Sequence, residues 1–229
     1  LVRAACPRAA LFAVWALALG HGQIAAETPP AESGAAAEEA VEFSQAETVL
    51  WMTDQLAQID RPVMLRYEFE KTGVYEEGFS DTVELRILAV KPDGMKHAAV
   101  TFFTGERNQF VPENENTSVN PVLGLYLQGD VYEMDRLTDG HWRYFHRRLK
   151  FGFAESARVE PVTFEFDGRQ YEGKRVTMQP FVDDPKRGEM GVFALKGYKI
   201  IVSDELPGYL YEIETLVPPE QPGGEVLMN

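Results

Sequence analysis

The sequence predicts an α+β protein in which helices are inserted into the middle of an antiparallel sheet. Apolar and polar residues alternate in segments such as 63–69, the pattern of a strand with one buried face. Between residues 120 and 153 the apolar residues recur at spacings of three and four, as in amphipathic helices. Turn residues such as those of 91–94 separate neighbouring strand segments, so adjacent strands are expected to be antiparallel.

Residues 1–26 have the three parts of a secretory signal peptide. Arg3 and Arg8 precede the apolar run 9–19, which is shorter than the roughly 20 residues of a membrane span. The small residues of 24–26 form a cleavage site. The sequence therefore predicts a periplasmic protein without a transmembrane span after cleavage. An uncleaved anchor is the alternative.

Charge and cysteine content narrow the possible functions. The formal charge is −14, and removal of residues 1–26 takes away two arginines and no acidic residue, which makes it −16. Nucleic acid is therefore not an expected partner, because phosphate binding depends on clustered Lys and Arg. The single cysteine, Cys6, lies before the apolar run. A cleaved protein would contain no cysteine, which argues against thiol catalysis, zinc–thiolate sites and a lipidated cysteine.

The chain after the signal peptide is predicted as a flexible leader at 27–43, a single α+β domain at 44–218 and a disordered tail at 219–229. Ser44 and Glu47 match a capping box and begin a first helix that ends near residue 60. Strands are predicted at 63–69, 82–90, 95–103, 159–166, 171–180, 198–203 and 209–217, with a long loop at 105–118 and a short helical turn at 186–193.

Two helices occupy the centre of the chain. Asn120 and Pro121 form a helix start, and the apolar stripe that follows consists of Leu123, Leu127, Val131, Met134 and Leu137. The second helix, at 142–153, carries aromatic residues on one face and basic residues on the other. Two interpretations follow: a core-filling helix with a solvated basic face, or a basic docking face for an acidic partner.

The docking interpretation assigns six residues to a contact with an envelope protein. Its basic members lie on the second central helix, and its acidic members lie in the segment 181–188, whose two adjacent acids are expected to pair with those arginines unless the segment is a solvated turn. The six residues are Arg143, Arg147, Arg148, Lys150, Asp183 and Asp184.

The residues indicate no catalytic, metal or cofactor site. The sequence lacks a nucleophile elbow, a phosphate-binding glycine loop and a metalloprotease helix. His141 and His146 are five positions apart, so they point in different directions on a helix. Asp130, Glu133 and Asp135 are assigned to the polar side of the first central helix, and acid–base chemistry would require their burial or a close partner. We therefore expect a protein that is not an enzyme.

Aromatic residues are predicted to line the inner face of the sheet. Either helices cover this face completely as an ordinary core, or a pocket for an apolar ligand remains between sheet and helices. The predicted ligand-binding residues are Tyr67, Phe69, Phe102, Phe164, Phe166, Tyr198, Tyr209 and Tyr211.

An exported, cysteine-free chain with an aromatic antiparallel sheet and helices in mid-sequence resembles the LolA/LolB-like lipoprotein carriers. The resemblance is one of layout over the domain, and it implies a curved sheet that forms an incomplete barrel, is covered by helices and accepts acyl chains. The segments 120–140 and 181–188 also resemble exported bacterial envelope proteins.

Two functions follow as expectations. The first is a non-enzymatic periplasmic protein that binds an apolar ligand or lipid between sheet and helices. The alternative is an envelope accessory protein that docks on a partner protein through the helix at 142–153.

Overall fold

A computed structural model describes residues 42–219 and 224–229. The predicted signal peptide at 1–26 and all but the last two residues of the predicted leader at 27–43 lie outside the described residues.

The first helix begins at the predicted capping box. Ser44 Oγ accepts from the Glu47 backbone N–H, and the Glu47 carboxylate accepts from the Ser44 N–H. Helix α1 spans Gln45–Glu47 and continues as a π-helical turn over Thr48–Met52. It is shorter than predicted, because Thr53 already has extended backbone geometry.

The first sheet is an antiparallel meander in which each strand pairs with its neighbour in the sequence. Its strands are β1 (Val63–Lys71), β2 (Phe79–Val90), β3 (Lys96–Phe102) and β4 (Asn114–Thr117). Burial alternates along β1 at every residue, as its sequence predicts. The prediction of a loop for 105–118 is wrong at β4, whose sequence NENT carries no apolar alternation and whose pairing with β3 comes from the fold.

Two helices follow the first sheet with bounds close to those predicted. Helix α2 spans Pro121–Leu137, and the Asn120 side chain caps it by accepting from the Val122 N–H at 3.0 Å. Helix α3 spans Trp142–Phe151 and continues as a π-helical turn over Gly152–Ser156. The predicted apolar faces of both helices lie in the core, where Met134 and Phe145 are completely buried.

The second sheet is also an antiparallel meander. It contains β5 (Arg158–Phe166), β6 (Arg169–Met178), β7 (Gly197–Val202) and β8 (Leu210–Leu216) in that order, with the short helix α4 (Arg187–Met190) between β6 and β7. The two outer strands of this sheet are joined at one end by a ring contact, in which Tyr211 of β8 stacks on Phe164 of β5 at 4.0 Å.

The predicted α+β class with antiparallel strands is confirmed, and so is an incomplete sheet, since neither sheet in the described part of the chain closes into a barrel. The strands form two four-stranded sheets, because the helices between β4 and β5 interrupt the pairing.

The segment 224–229 differs from the disorder that its composition predicts. Residues 226–229 make backbone hydrogen bonds with Thr72, Val74 and Tyr75 after β1 and with Val217 after β8, and Met228 is only 3 % exposed. A buried methionine and paired backbone groups hold this segment in place. The sequence shows no apolar periodicity here from which that could be predicted.

Candidate functional site

The outer strands of the two sheets face each other across a groove. Among the strands that the structure describes, β1 pairs with β2 only, and β8 pairs with β7 only. Within residues 42–219 and 224–229, no backbone hydrogen bond joins β1 to β8. The space between them, which we call the β1–β8 groove, has a volume of about 300 Å³.

The walls of the β1–β8 groove combine aromatic and aliphatic side chains. Tyr67 and Phe69 come from the inward-facing positions of β1, and Tyr211 and Ile213 come from β8. Phe69 packs against Phe103 with ring centres 4.6 Å apart, which fixes the position of this wall.

Helix α2 supplies the floor of the groove through Val122 and Tyr126. The Tyr126 hydroxyl is hydrogen bonded to Thr215 Oγ1 of β8 at 3.1 Å, so the floor is joined to one wall. Burial, with a smaller contribution from the Asp130 carboxylate, raises the pKa of Tyr126. The hydroxyl therefore stays neutral and serves as a structural contact.

Asn120 joins the other wall to the start of α2. Its side-chain amide donates to the Tyr67 hydroxyl and to the Gly208 carbonyl oxygen, both at 2.8 Å. Burial raises the pKa of Tyr67 to about 12, although the hydrogen bond from Asn120 acts in the opposite direction. Tyr67 is thus held as a neutral phenol whose ring faces the groove.

Carboxylates form the rim of the groove. Glu68 and Glu70 are exposed on β1, and no ion pair to either occurs in the described residues. Glu212 and Glu214 on β8 share one cation, Lys199, whose Nζ lies 3.0 Å from the first and 2.5 Å from the second. Four carboxylates therefore line the groove, two of them paired with Lys199, and the rim is negatively charged.

The structure brings four of the eight predicted ligand-binding residues to the groove. These are Tyr67, Phe69, Phe102 and Tyr211.

The other four lie elsewhere. Phe164 stacks on Tyr211 outside the groove, and Phe166, which was predicted to face inward, is 49 % exposed next to the β5–β6 turn. Tyr198 and Tyr209 are buried without lining the groove, so they belong to the core.

The six predicted docking residues divide into two groups. Arg148 and Asp184 form an ion pair with 2.6 Å between Nε and Oδ2, as the sequence predicts, and Asp184 is only 2 % exposed. The other acid, Asp183, is exposed beside it. The basic residues exposed on α3 are Arg143, Arg147 and Lys150.

The Asp184 carboxylate is held by more than Arg148. It accepts from the Tyr144 hydroxyl at 2.6 Å and from the Lys186 backbone N–H at 2.7 Å. Burial and, next, the hydrogen bond to this carboxylate raise the pKa of Tyr144 to about 12. Asp184 and Arg148 therefore fasten the β6–β7 connection to α3 and are not free to bind a partner.

A buried ionic network is centred on Asp130 of α2. The Asp130 carboxylate accepts from Lys196 Nζ and from the Tyr198 hydroxyl, the latter at 2.7 Å. Lys196 is completely buried, and Glu133 lies 3.7 Å from its Nζ. Glu133 also binds Lys71 at 2.7 Å, which extends the network to the end of β1.

The assignment of Asp130 to the polar side of α2 is wrong, because this residue is only 7 % exposed. Its position three residues after Leu127 and four before Met134 places it on the apolar stripe. This spacing could have predicted from the sequence that Asp130 is buried. No comparable pattern marks Lys196, whose burial depends on the packing of α2 against the second sheet.

No helix in the described ranges has both the length and the apolar character needed to cross a membrane. Comparisons of the chain with protein-family models, with curated proteins and with solved structures find no match.

Proposed function

We propose that this protein is a non-enzymatic, exported binding protein that holds an apolar or lipid-like ligand in the β1–β8 groove. The observation that supports this best is the groove itself, in which Tyr67 and Phe69 face Tyr211 and Ile213 above a floor from α2. Concave sites lined by aromatic residues with a few polar groups at fixed positions are typical of ligand-binding proteins. The layout agrees with the acyl-chain binding that the resemblance to the LolA/LolB-like carriers implies.

The periplasmic location is part of the proposal and is supported by the signal-peptide pattern of residues 1–26. The absence of catalysis is supported by Asp130, the most buried carboxylate of α2. Both of its oxygens are engaged, one by Lys196 and one by Tyr198. A general acid or base must exchange a proton with its substrate, so this carboxylate has a structural role.

Native mass spectrometry of the full chain, purified from its own cell envelope without detergent, tests the proposal. We expect an additional mass that organic solvent extracts. Ile213→Asp places a charge in the groove and is expected to abolish the additional mass. Met64→Asp, which alters an outward-facing residue of β1 that is 50 % exposed, should retain it.

A bare mass for the wild-type protein would contradict the proposal. Retention of the ligand by Ile213→Asp, with circular dichroism showing an intact fold, would also contradict it.

The second candidate function is that of an envelope adaptor that docks through α3. Arg143, Arg147 and Lys150 favour it, because they are exposed on one helix of a strongly acidic chain and have no ion pair in the described residues. Of the predicted docking set, these three remain available to an acidic partner. Arg148 does not, because it is bound to Asp184.

Cross-linking in intact cells, followed by purification of the adduct, tests the adaptor function. Arg143→Glu with Arg147→Glu should remove a single adduct that the wild-type protein forms. Arg61→Glu with Lys174→Glu makes the same charge change at exposed positions outside α3 and should leave it. Equal loss in both double variants would refute specific docking through α3.

A further inference from the structure

The strand edges that border the β1–β8 groove indicate the chemical class of the ligand, which its side chains alone do not. A strand at the edge of a sheet presents a row of unpaired N–H and C=O groups. Here two such edges, those of β1 and β8, border the same groove. A hydrocarbon chain has no donors or acceptors for these groups, whereas an extended peptide has both.

Residues 226–229 show that the space between the two edges is one strand wide. Thr72 and Asn229 exchange two backbone hydrogen bonds, of 2.8 and 2.9 Å, at the end of β1. On the other side of the same segment, the Val217 N–H donates to the Met228 carbonyl oxygen at 2.7 Å, just beyond β8. One extended segment therefore bridges both sheets where the groove begins.

The same segment gives the direction and length of a strand in the groove. It runs antiparallel both to the chain after β1 and to Val217, so β1 and β8 run in the same direction on either side of it. Its line continues past Asn229, which itself lines the groove. The groove then extends along 67–72 and 210–215, which corresponds to a strand of about six residues.

The two faces of such a strand would meet different chemistry. Inward side chains would contact the aromatic walls and the α2 floor, which favours apolar residues. Outward side chains would meet the rim of Glu68, Glu70, Glu212 and Glu214. Among the described residues, the only ion pairs of these four carboxylates are those of Glu212 and Glu214 with Lys199. Alternation of apolar and basic residues fits both faces, because successive side chains of a strand point in opposite directions.

We propose that the β1–β8 groove binds an extended peptide of alternating apolar and basic residues as an added strand, antiparallel to β1 and β8. The inference rests on the proposed function, since it takes the groove to be the ligand site, and it specifies the apolar ligand as a peptide whose inward side chains are apolar. The main chain provides affinity through hydrogen bonds to both edges, and the side chains provide specificity.

Isothermal titration calorimetry with the full chain and the blocked peptide Ac-Val-Lys-Val-Lys-Val-Lys-amide tests this proposal. We expect saturable binding that weakens as salt is added, because charges at the rim are exposed to solvent. Replacement of the lysines by glutamates should abolish the binding. Methylation of alternate backbone nitrogens should weaken it about tenfold or more, since each lost hydrogen bond contributes up to that factor.

Variants of the protein locate the binding site. Glu68→Lys with Glu70→Lys should weaken peptide binding about tenfold, because rim and peptide would then repel each other. Glu115→Lys with Glu155→Lys changes the charge equally at exposed positions outside the groove and should leave the affinity unchanged.

Palmitate, titrated in parallel, separates this inference from the proposed function. Binding of the peptide supports the peptide inference and the role of the groove as a ligand site, whether or not palmitate displaces it. Binding of palmitate alone would overturn the peptide inference and leave the proposed function standing. Binding of neither probe would overturn both, and equal affinity for the methylated peptide would overturn the added-strand geometry.

Discussion

Asp130 has an unusual position for a carboxylate, because it replaces an apolar residue on the buried stripe of α2. Its charge is balanced inside the protein by Lys196, which is completely buried, and its second oxygen accepts from Tyr198. A buried ion pair of this kind contributes little net stability, since desolvation offsets the attraction. Removal of the Asp130 charge has a much larger effect, because the buried Lys196 is then left with only the more distant Glu133, 3.7 Å from its Nζ.

We therefore expect Asp130→Asn to lower the free energy of unfolding by about 3–5 kcal/mol, as measured by urea denaturation at pH 7. Asp130→Asn with Lys196→Met removes both charges and should recover much of that loss. Arg175→Gln breaks an exposed ion pair with Glu160 and should change the stability by less than about 1 kcal/mol. Similar losses for the single and the double variant at the buried pair would show that its charges are not coupled.

Glu76 provides a second prediction at the residue scale, one that concerns pH. The hydrogen bonds from Arg136, of 2.6 and 2.7 Å, and the one from Lys71 hold the pKa of this carboxyl at about 2. Because this value lies below the ordinary value of 4.5, the contact stabilises the fold above pH 4.5 and loses its effect as the pH falls towards 2.

Glu76→Gln should accordingly lower the stability at pH 7 by about 1 kcal/mol, the upper end for partly exposed pairs, and this difference should vanish near pH 2. Urea titrations at several pH values measure it. Glu77→Gln, at the exposed neighbouring residue, is the control. A difference in stability that is the same at every pH would show that ionisation of Glu76 does not cause it.

At the scale of elements, Asn120 connects three parts of the fold. Its side-chain oxygen caps α2, and its side-chain amide donates to Tyr67 of β1 and to Gly208 in the β7–β8 turn. The residue is 3 % exposed, so a replacement that cannot form these bonds leaves buried polar groups without partners.

Asn120→Ala should therefore lower the free energy of unfolding by about 2–4 kcal/mol, because the cap and two buried hydrogen bonds are lost. Asn120→Asp keeps the capping oxygen and loses the amide donors, so its stability should fall between that of the wild type and that of Asn120→Ala. Asn116→Ala, on the exposed strand β4, should change it by less than about 0.5 kcal/mol. Thermal unfolding of the three variants provides the comparison, and a tolerated Asn120→Ala would contradict the role given to this residue.

The elements differ in how far local sequence determines them. Strand β1 was predictable because its alternation of side chains is a local pattern, and α2 was predictable because Asn120 and Pro121 form a local start signal. Strand β4 was not, since its residues acquire their pairing only from β3.

Of the groove, the sequence indicates the aromatic residues but not their arrangement. The position of Tyr211 opposite Tyr67 depends on how two separate sheets meet, and Tyr198 lies in the core, where its hydroxyl donates to Asp130. The rim carboxylates were missed because single acids are uninformative in so acidic a chain.

At the scale of the whole molecule, the segment 224–229 joins the two sheets, and Gly73 allows it to approach. Gly73 has φ +126°, and a Cβ atom there would overlap the carbonyl oxygen of Leu227. Gly94 also has a positive φ, of +87°, but a Cβ atom there would meet no other atom within 4 Å. Gly94 is therefore a control position for Gly73, because it shares the positive φ but not the close contact.

Gly73→Ala should displace the segment 224–229, whereas Gly94→Ala should only introduce the backbone strain of about 1 kcal/mol that is common to both. Hydrogen exchange of the Thr72 and Val217 amides, which the segment protects, reports the displacement. We expect faster exchange at both amides in Gly73→Ala and unchanged exchange in Gly94→Ala. Unchanged exchange in Gly73→Ala would show that the segment is held without this close approach.

The pairing of every strand with its neighbour in the sequence has a consequence for the order of folding. Residues 63–117 contain all partners of the first sheet, and residues 158–216 contain all partners of the second. Short loops close quickly, so we expect each sheet to form independently and residues 224–229 to join them last. Pulse-labelled refolding should protect the amides of β2 and β6 before those of Thr72 and Val217. In a chain that crosses a membrane from its N-terminus, the first sheet would then be complete before the second emerges, and the groove would exist only once both sheets have crossed.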